Sequence, residues 1–263
     1  MSLALRNPPG HGWIVVNEPR PRAAVRLICC PYAGGGAHVF RAWATRLPPW
    51  IEVLAVEPPG RGTRFNELPM PSLDVMVESL ASAIAPALDR PYALFGHSLG
   101  ALVAFQLTCA LRRRQSRGPY RLLVSGRGAP GRPRRKPPIH HLPDPAFLAA
   151  IDAYNGWPEE VRRHRELVDL LLPILRADFA MVETYKWFPE APVDCDISAY
   201  HGTSDAEVHA EDVQAWSDLT SARFAMTSFE GDHFFLRSHE GELLSRIATD
   251  LRLDVRTLAR AAT

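Results

Sequence analysis

The sequence predicts an α/β fold in which helices flank a mostly parallel sheet. Short apolar segments alternate along the chain with longer segments whose apolar residues recur at helical spacing. Several of the apolar segments are continuous, as in strands that are buried on both faces of a parallel sheet. The 263 residues are 46% hydrophobic and 22% charged, which suits one domain with a large core. We therefore expect a single domain over residues 1–263.

The predicted strands are apolar segments that end at, or just before, a glycine or a proline. They are Val25–Cys30, Ile51–Val56, Tyr92–Phe95, Leu122–Ser125, Asp196–Tyr200 and Arg223–Phe229, with Trp13–Val16 as a candidate edge strand. The predicted helices are Val39–Arg46, Ser72–Leu88, Leu99–Arg113, Ala210–Thr220 and Gly241–Leu253. This alternation favours a sheet with helices on both faces.

One stretch interrupts the alternation. Arg127–Pro138 is rich in proline, glycine and arginine, which is typical of a loop. Two helical patterns follow, Asp144–Tyr154 and Glu159–Tyr185, separated by Gly156–Pro158 and with no strand between them. We predict a helical lid inserted over about residues 139–188. Its aromatic side chains are expected either in the core of the lid or against a ligand bound beneath it.

Charge and cysteine usage exclude several classes of protein. The formal net charge is +1, so the chain is no strongly basic nucleic-acid or membrane binder. No amino-terminal signal segment and no run of about 18 apolar residues is present. The four cysteines, Cys29, Cys30, Cys109 and Cys195, show no zinc-binding spacing. We expect buried, reduced thiols in a cytoplasmic protein.

A nucleophile motif lies at the end of the third predicted core strand. Gly96-His97-Ser98-Leu99-Gly100 matches G-x-S-x-G, and it joins an apolar strand to an apolar helix. That context is the strand–turn–helix in which a strained serine is exposed at a helix N-terminus. The motif predicts Ser98 as a nucleophile and an α/β-hydrolase fold.

A serine needs a base, and the base needs a third group that orients it. The last predicted strand leads directly into His233, which we predict to be the base, with His239 as its competitor. Asp205 follows the end of the preceding strand, in the chain order that α/β-hydrolases use, and is the predicted acid. The competing carboxylates are those of Asp178, Asp194, Asp196 and Asp232.

The oxyanion of an acyl-transfer reaction needs two backbone donors. One is expected from the N–H of Leu99, directly after the nucleophile, and the other from the glycine-rich loop Pro31–Gly36. A phosphate-binding loop is disfavoured because no Lys-Ser or Lys-Thr follows the glycines.

These motifs together resemble the type II thioesterases, the stand-alone editing enzymes of polyketide and nonribosomal peptide assembly lines. The matching stretches span nearly the whole chain and are Cys30–Gly35, Val56–Gly62, Phe95–Ala101, Ser125–Pro130, Leu175–Phe179, Gly202–Val208 and Gly231–Phe235. The resemblance implies Ser98 as nucleophile, Asp205 as acid and His233 as base. It also implies oxyanion donors on Ala33 and Leu99.

The resemblance further implies hydrolysis of acyl thioesters on the phosphopantetheine arm of acyl or peptidyl carrier proteins, which removes aberrant or stalled acyl units. It implies no metal and no bound cofactor, because the phosphopantetheine belongs to the partner, and we expect a monomer. The alternatives are a medium-chain fatty acyl-carrier or acyl-CoA thioesterase, a chain-terminating thioesterase and an inactive binding protein.

The near-zero net charge conceals a basic segment. Arg112–Lys136 holds ten basic and no acidic residues, which leaves 30 − 10 = 20 basic and 29 acidic residues in the rest of the chain. The segment is either a solvated surface or an electrostatic steering surface for an acidic carrier domain. Only its second part is expected at the catalytic edge of the sheet, and that part contains Arg127, Arg132, Arg134, Arg135 and Lys136.

Overall fold

The computed structural model describes residues 12–152 and 163–252. Its strands are β1 (Ile14–Val15), β2 (Val25–Cys30), β3 (Ile51–Val56), β4 (Tyr92–His97), β5 (Arg121–Ser125), β6 (Asp196–Gly202) and β7 (Phe224–Phe229). They form one seven-stranded sheet in the order β1-β3-β2-β4-β5-β6-β7. All neighbouring pairs are parallel except β1 with β3, the edge pair. The predicted α/β-hydrolase fold is confirmed.

The described α-helices are α1 (Trp43–Arg46), α2 (Leu73–Ile84), α3 (Leu99–Arg113), α4 (Asp144–Asp152), α5 (Arg165–Thr184), α6 (Ala210–Gln214), α7 (Phe235–Ser238) and α8 (Glu240–Asp250). On one face of the sheet α2 and α3 pack with Trp216, and on the other face α1 packs with α8. Successive side chains of β2 point to opposite faces of the sheet: Ile28 packs in the core on the α2–α3 face, and Leu27 packs in the core on the α1–α8 face.

Several predicted helix ends were wrong. The helix predicted to reach Leu88 ends at Ile84 and continues as a 3-10 turn over Ala85–Ala87, because Pro86 has no N–H to donate. The helices predicted over 39–46 and 210–220 are each divided between a 3-10 turn and a short α-helix. The last helix, which was predicted to reach Leu253, ends at Asp250.

The segment between β5 and β6 contributes α4 and α5, with no strand between them in the described residues. It has a small core of its own, formed by Ile139, Phe147, Ile151 and Leu175. The predicted break at Gly156–Pro158 lies outside the described ranges. We call residues 139–188 the inserted segment, and its role as a lid stays a prediction, as does the single domain over 1–263.

All four cysteines are buried as free thiols, as predicted. Burial raises the pKa of Cys30 and of Cys195 to about 12, so both remain protonated and unreactive at neutral pH. In the part of the chain that the structure describes, no helix has the length and the apolar character needed to cross a membrane.

Candidate active site

The turn between β4 and α3 holds Ser98 in a strained backbone conformation, with φ 54° and ψ −113°. The two motif glycines make this turn possible. A Cβ on Gly96 would overlap the Gly100 carbonyl, and a Cβ on Gly100 would overlap the Cys30 carbonyl at the end of β2. The Ser98 N–H donates to the Ser125 carbonyl at 2.8 Å, which fixes the turn against β5. The predicted strand–turn–helix is present.

Asp205 and His233 are in direct contact. His233 Nδ1 lies 2.8 Å from Asp205 Oδ2, and the carboxylate's other oxygen accepts the N–H groups of Glu207 (2.8 Å) and Val208 (3.2 Å). The Asp205 side chain is fully buried, so its geometry is fixed by these bonds. Because the Nδ1–H of His233 donates to Asp205, the Nε2 atom of His233 is the nitrogen that can take a proton.

Ser98 and His233 line the same cavity at the carboxyl edge of the parallel strands. The hydrogen bonds of residues 12–152 and 163–252 include none between Ser98 Oγ and His233. The structure therefore brings the predicted acid and base together and places the predicted nucleophile on the same cavity wall. A serine–histidine bond of this kind commonly tightens only when substrate is bound.

The competing residues lie elsewhere. His239 Nδ1 shares a 2.9 Å hydrogen bond with Ser238 Oγ on the exposed side of the turn before α8. Asp196 is the first residue of β6, at the opposite edge of the sheet, and pairs there with Arg121. The Asp232 carboxylate accepts the backbone N–H two residues further on. Of the candidates that the sequence offered for base and acid, the geometry favours His233 and Asp205.

His97, within the motif, is fully buried beside His233, with ring centroids 5.1 Å apart. Its Nδ1 lies 2.9 Å from Ser125 Oγ, and its Nε2 has no partner among the described residues. Burial, aided by the neighbouring charge of His233, holds the pKa of His97 well below its usual range. His97 is therefore neutral at physiological pH and contributes no charge to the site.

The glycine-rich loop after β2 places free backbone donors beside the turn. Leu99 is the first residue of α3, so its N–H has no acceptor within the helix. The Ala33 N–H makes no hydrogen bond with any other described residue. The Gly34 backbone has φ +77°, which favours glycine, and its N–H donates to Asp178 Oδ2 at 2.7 Å. Both predicted oxyanion donors line the cavity.

Asp178 connects α5 to this loop and to Arg61. The Asp178 side chain is 1% exposed and Arg61 is 7% exposed, and Asp178 Oδ2 accepts both the Arg61 guanidinium and the Gly34 N–H. Arg61 also donates to the Pro59 carbonyl at 3.0 Å. In the sequence Asp178 was only one of the carboxylates that competed with Asp205. Its link to the oxyanion loop was missed, since 144 residues separate the two partners.

The cavity has a volume of about 630 Å³. One part of its wall carries Ser98, His233 and the loop donors, and another is apolar and comes from the inserted segment. The apolar lining residues are Ile151, Leu171, Leu175, Phe179, Val182 and Trp187. Phe179 also packs edge-on against Phe147, with centroids 5.7 Å apart, so this aromatic both belongs to the packing of the inserted segment and lines the cavity. The cavity can hold an elongated apolar group beside Ser98.

Most of the basic residues at the catalytic edge are neutralised. Arg134 pairs with Glu183 at 3.2 Å, Arg135 pairs with Asp212 at 2.7 Å, and Lys136 pairs with a carboxylate of the turn before α6. The predicted steering surface is thus interleaved with acidic side chains. The described residues also contain no group of three or more potential ligands that could hold a metal ion.

The fold and the Asp–His pair beside a strained serine define an α/β-hydrolase. The model of the family described as Thioesterase domain matches residues 25–251. Because that match covers most of the chain, the chain belongs to the thioesterase family.

Individual relatives indicate which thioesterases this chain is most similar to in sequence and structure. The protein named linear gramicidin dehydrogenase LgrE, of Brevibacillus parabrevis, is 41% identical, with 91% of this chain and 92% of that protein covered. Thioesterase PikA5 of Streptomyces venezuelae is 38% identical, with 91% and 85% covered. The type II thioesterase BorB from the borrelidin biosynthetic cluster is 36% identical, covers 94% of this chain and 100% of its own, and superposes with a TM-score of 0.85. The medium-chain S-acyl fatty acid synthase thioesterase of Rattus norvegicus is more distant, at 29% identity.

Replacing Asp178 with alanine should destabilise the protein and loosen the oxyanion loop. The substitution leaves Arg61 buried without its partner, which costs about 3–5 kcal/mol of unfolding free energy. Chemical denaturation measures this loss, and kcat for a thioester substrate should fall with it. The matched control is Asp169→Ala on the exposed part of the same helix, where the lost partner is the exposed Arg165. Equal stability of the two variants would show that the buried pair contributes nothing.

Proposed function

We propose that this protein is a serine thioesterase that hydrolyses acyl groups from the phosphopantetheine arm of carrier proteins in polyketide or nonribosomal peptide biosynthesis, and so removes aberrant or stalled units. The observation that supports it best is the Asp205–His233 hydrogen bond beside a cavity that Ser98 also lines. The names of the relatives support the pathway class. The proposal places the enzyme in the cytoplasm, where free thiols stay reduced.

In the proposed mechanism His233 Nε2 takes the Ser98 hydroxyl proton as Oγ attacks the thioester carbonyl carbon. The N–H groups of Ala33 and Leu99 stabilise the tetrahedral oxyanion. The C–S bond then breaks, and His233 gives its proton to the departing thiolate. Water, deprotonated by His233, attacks the acyl-enzyme, and collapse of the second intermediate releases the carboxylic acid and restores Ser98. Asp205 holds the imidazole in the required tautomer throughout.

The proposal requires neither a metal nor a bound cofactor, since the phosphopantetheine is part of the carrier substrate. A medium-chain fatty acyl-carrier or acyl-CoA thioesterase is the alternative, because the apolar wall of the cavity would also accept a fatty acyl chain. The presence of Ser98, Asp205 and His233 together argues against an inactive binding protein. A chain-terminating role is the least supported, because BorB, a similar structure, is a type II thioesterase.

The inserted segment is proposed to act as the lid of the acyl chamber. Asp178 anchors the carboxyl half of α5 through its buried bonds, and Pro173 interrupts the backbone hydrogen bonds of the same helix. The amino half instead exposes Leu167 and Leu170. Lid movement is therefore expected on the amino-terminal side of Pro173, where Val168 is the one buried residue of Arg165–Leu172.

Hydrogen exchange should divide α5 at Pro173. Amides of Arg165–Leu172 are expected to exchange faster than those of Ile174–Thr184, because only the second part carries the buried Asp178 contacts. Mass spectrometry on peptides from each half measures the difference. Equal and strong protection of both halves, matching that of the sheet strands, would exclude a lid that moves in this way.

Replacing Ser98 with alanine should abolish hydrolysis, since loss of the nucleophile from a complete triad lowers kcat by roughly a million-fold. Release of thiol from an acyl carrier thioester measures the activity. Ser116→Ala, at an exposed position on the loop after α3, is the matched control and should keep full activity. Measurable turnover by the Ser98 variant would overturn the serine mechanism.

Carrier thioesters should be better substrates than the matching CoA thioesters. We expect a higher kcat/KM on the carrier, because a carrier domain can make surface contacts that CoA cannot. Since most basic residues of the catalytic edge are already paired, added salt should reduce this advantage only slightly. The panel varies acyl length and branching. Equal rates on carrier and CoA thioesters at all salt concentrations would argue against a carrier partner. A sharp preference for medium-length saturated chains would support the fatty acyl alternative.

A further inference from the structure

Arg127 differs from the other basic residues of the catalytic edge. It follows β5 by two residues and lines the cavity, and it is only partly exposed. Arg134, Arg135 and Lys136 of the same loop each pair with a carboxylate. Within residues 12–152 and 163–252, by contrast, the Arg127 guanidinium has neither a hydrogen-bond partner nor an ion-pair partner.

The backbone around Arg127 is held firmly in place. The Arg127 carbonyl accepts the Trp216 indole N–H at 2.8 Å, and Trp216 is fully buried. On either side, the Gly126 N–H donates to the Tyr200 carbonyl at 3.0 Å and the Ala129 N–H donates to the Asp212 carbonyl at 2.9 Å. The side chain therefore projects from a fixed point, as a preorganised binding group does.

Arg127 stays positively charged at neutral pH although no described carboxylate pairs with it. Burial, together with the nearby positive charge of Arg134, lowers its pKa to about 10. The guanidinium is thus still protonated at neutral pH. An unpaired charge in a partly buried site costs free energy, and a bound anion would offset that cost.

A second hydrogen-bond donor, the hydroxyl of Tyr185, lies near Arg127. Tyr185 also lines the cavity and is close enough to Arg127 for the two side chains to affect each other's pKa. The Tyr185 hydroxyl oxygen accepts the Gln106 amide N–H at 2.7 Å, and its own proton has no acceptor in the described part of the chain. Among the residues that the structure describes, these two donors have no acceptor.

We propose that Arg127, assisted by Tyr185, binds a carboxylate carried by the acyl group, and that the substrates of this enzyme include carboxylated acyl thioesters. The guanidinium fork matches the two oxygens of a carboxylate. Ser125 of β5 is the register partner of His97 on the neighbouring strand β4. Arg127, two residues after Ser125, therefore lies next to the turn that holds Ser98. The carboxylate then lies a short acyl chain away from the thioester carbon. This inference rests on the proposed thioester hydrolysis.

The test uses N-acetylcysteamine thioesters in pairs of equal length: malonyl with propionyl, succinyl with butyryl, and glutaryl with valeryl. The measured quantity is the ratio of kcat/KM within each pair, which does not depend on the active fraction of a preparation. In at least one pair, Arg127→Gln should lower this ratio roughly ten- to a hundredfold, the usual loss for a hydrogen bond to a charged group. Tyr185→Phe should lower it less, and Arg127→Lys, which keeps the charge but not the fork, should give an intermediate ratio.

Arg41→Gln is the matched control, because Arg41 is exposed, has no described partner and does not line the cavity; it should leave the ratio unchanged. Equal losses on both members of every pair would overturn the proposal. So would an effect of Arg127→Gln that appears only with CoA thioesters, since the anion recognised would then be a phosphate of the arm. Failure of the proposed function would look different, because the wild-type protein would then hydrolyse no carrier thioester at all.

Discussion

The close approach of α3 to the end of β2 is the constraint on which the rest of the site depends. Gly100 lies so near the Cys30 carbonyl that no side chain fits between them. This contact fixes the start of α3 against the sheet and forces Ser98 into its positive-φ conformation. Because β2 continues directly into the glycine-rich loop, the same contact brings Ala33 and Leu99 to one cavity wall. A single backbone approach thus positions both the proposed nucleophile and the proposed oxyanion donors.

The oxyanion loop depends in turn on the inserted segment. Asp178 is on α5, yet its carboxylate accepts the Gly34 N–H and the Arg61 guanidinium. Leu175, one turn earlier, leaves no room for a side chain at Gly34. Helix α5 lines the cavity and is also bonded to the loop that holds the proposed oxyanion donor Ala33. Displacement of its carboxyl half would disturb that loop, so the proposed lid movement is better assigned to the other half.

Local signals made much of the molecule predictable. The core strands were found because each is short, apolar and followed by a glycine or a proline, and α3 was found in full because its pattern runs unbroken from Leu99 to Arg113. Ser98, Asp205 and His233 could be chosen because each follows a strand end. Helix ends were less predictable, since a 3-10 turn such as Ala85–Ala87 has the same apolar pattern as an α-helix. The hydrogen bond between Gly34 and Asp178 joins residues far apart in the sequence, so no local pattern predicted it.

The basic segment shows why the number of charged residues in a stretch of sequence does not describe the electrostatic field around that stretch in the folded protein. Ten basic and no acidic residues between Arg112 and Lys136 suggest a strongly positive surface. Folding brings in acidic partners from far away in sequence, with Glu183 lying 49 residues and Asp212 lying 77 residues from the arginines that they neutralise. What distinguishes Arg127 is therefore the lack of a described partner at a position that is only partly exposed, whereas Arg132, which also has no described partner, is exposed. A charge that the fold leaves uncompensated in a substrate cavity is best explained by the substrate.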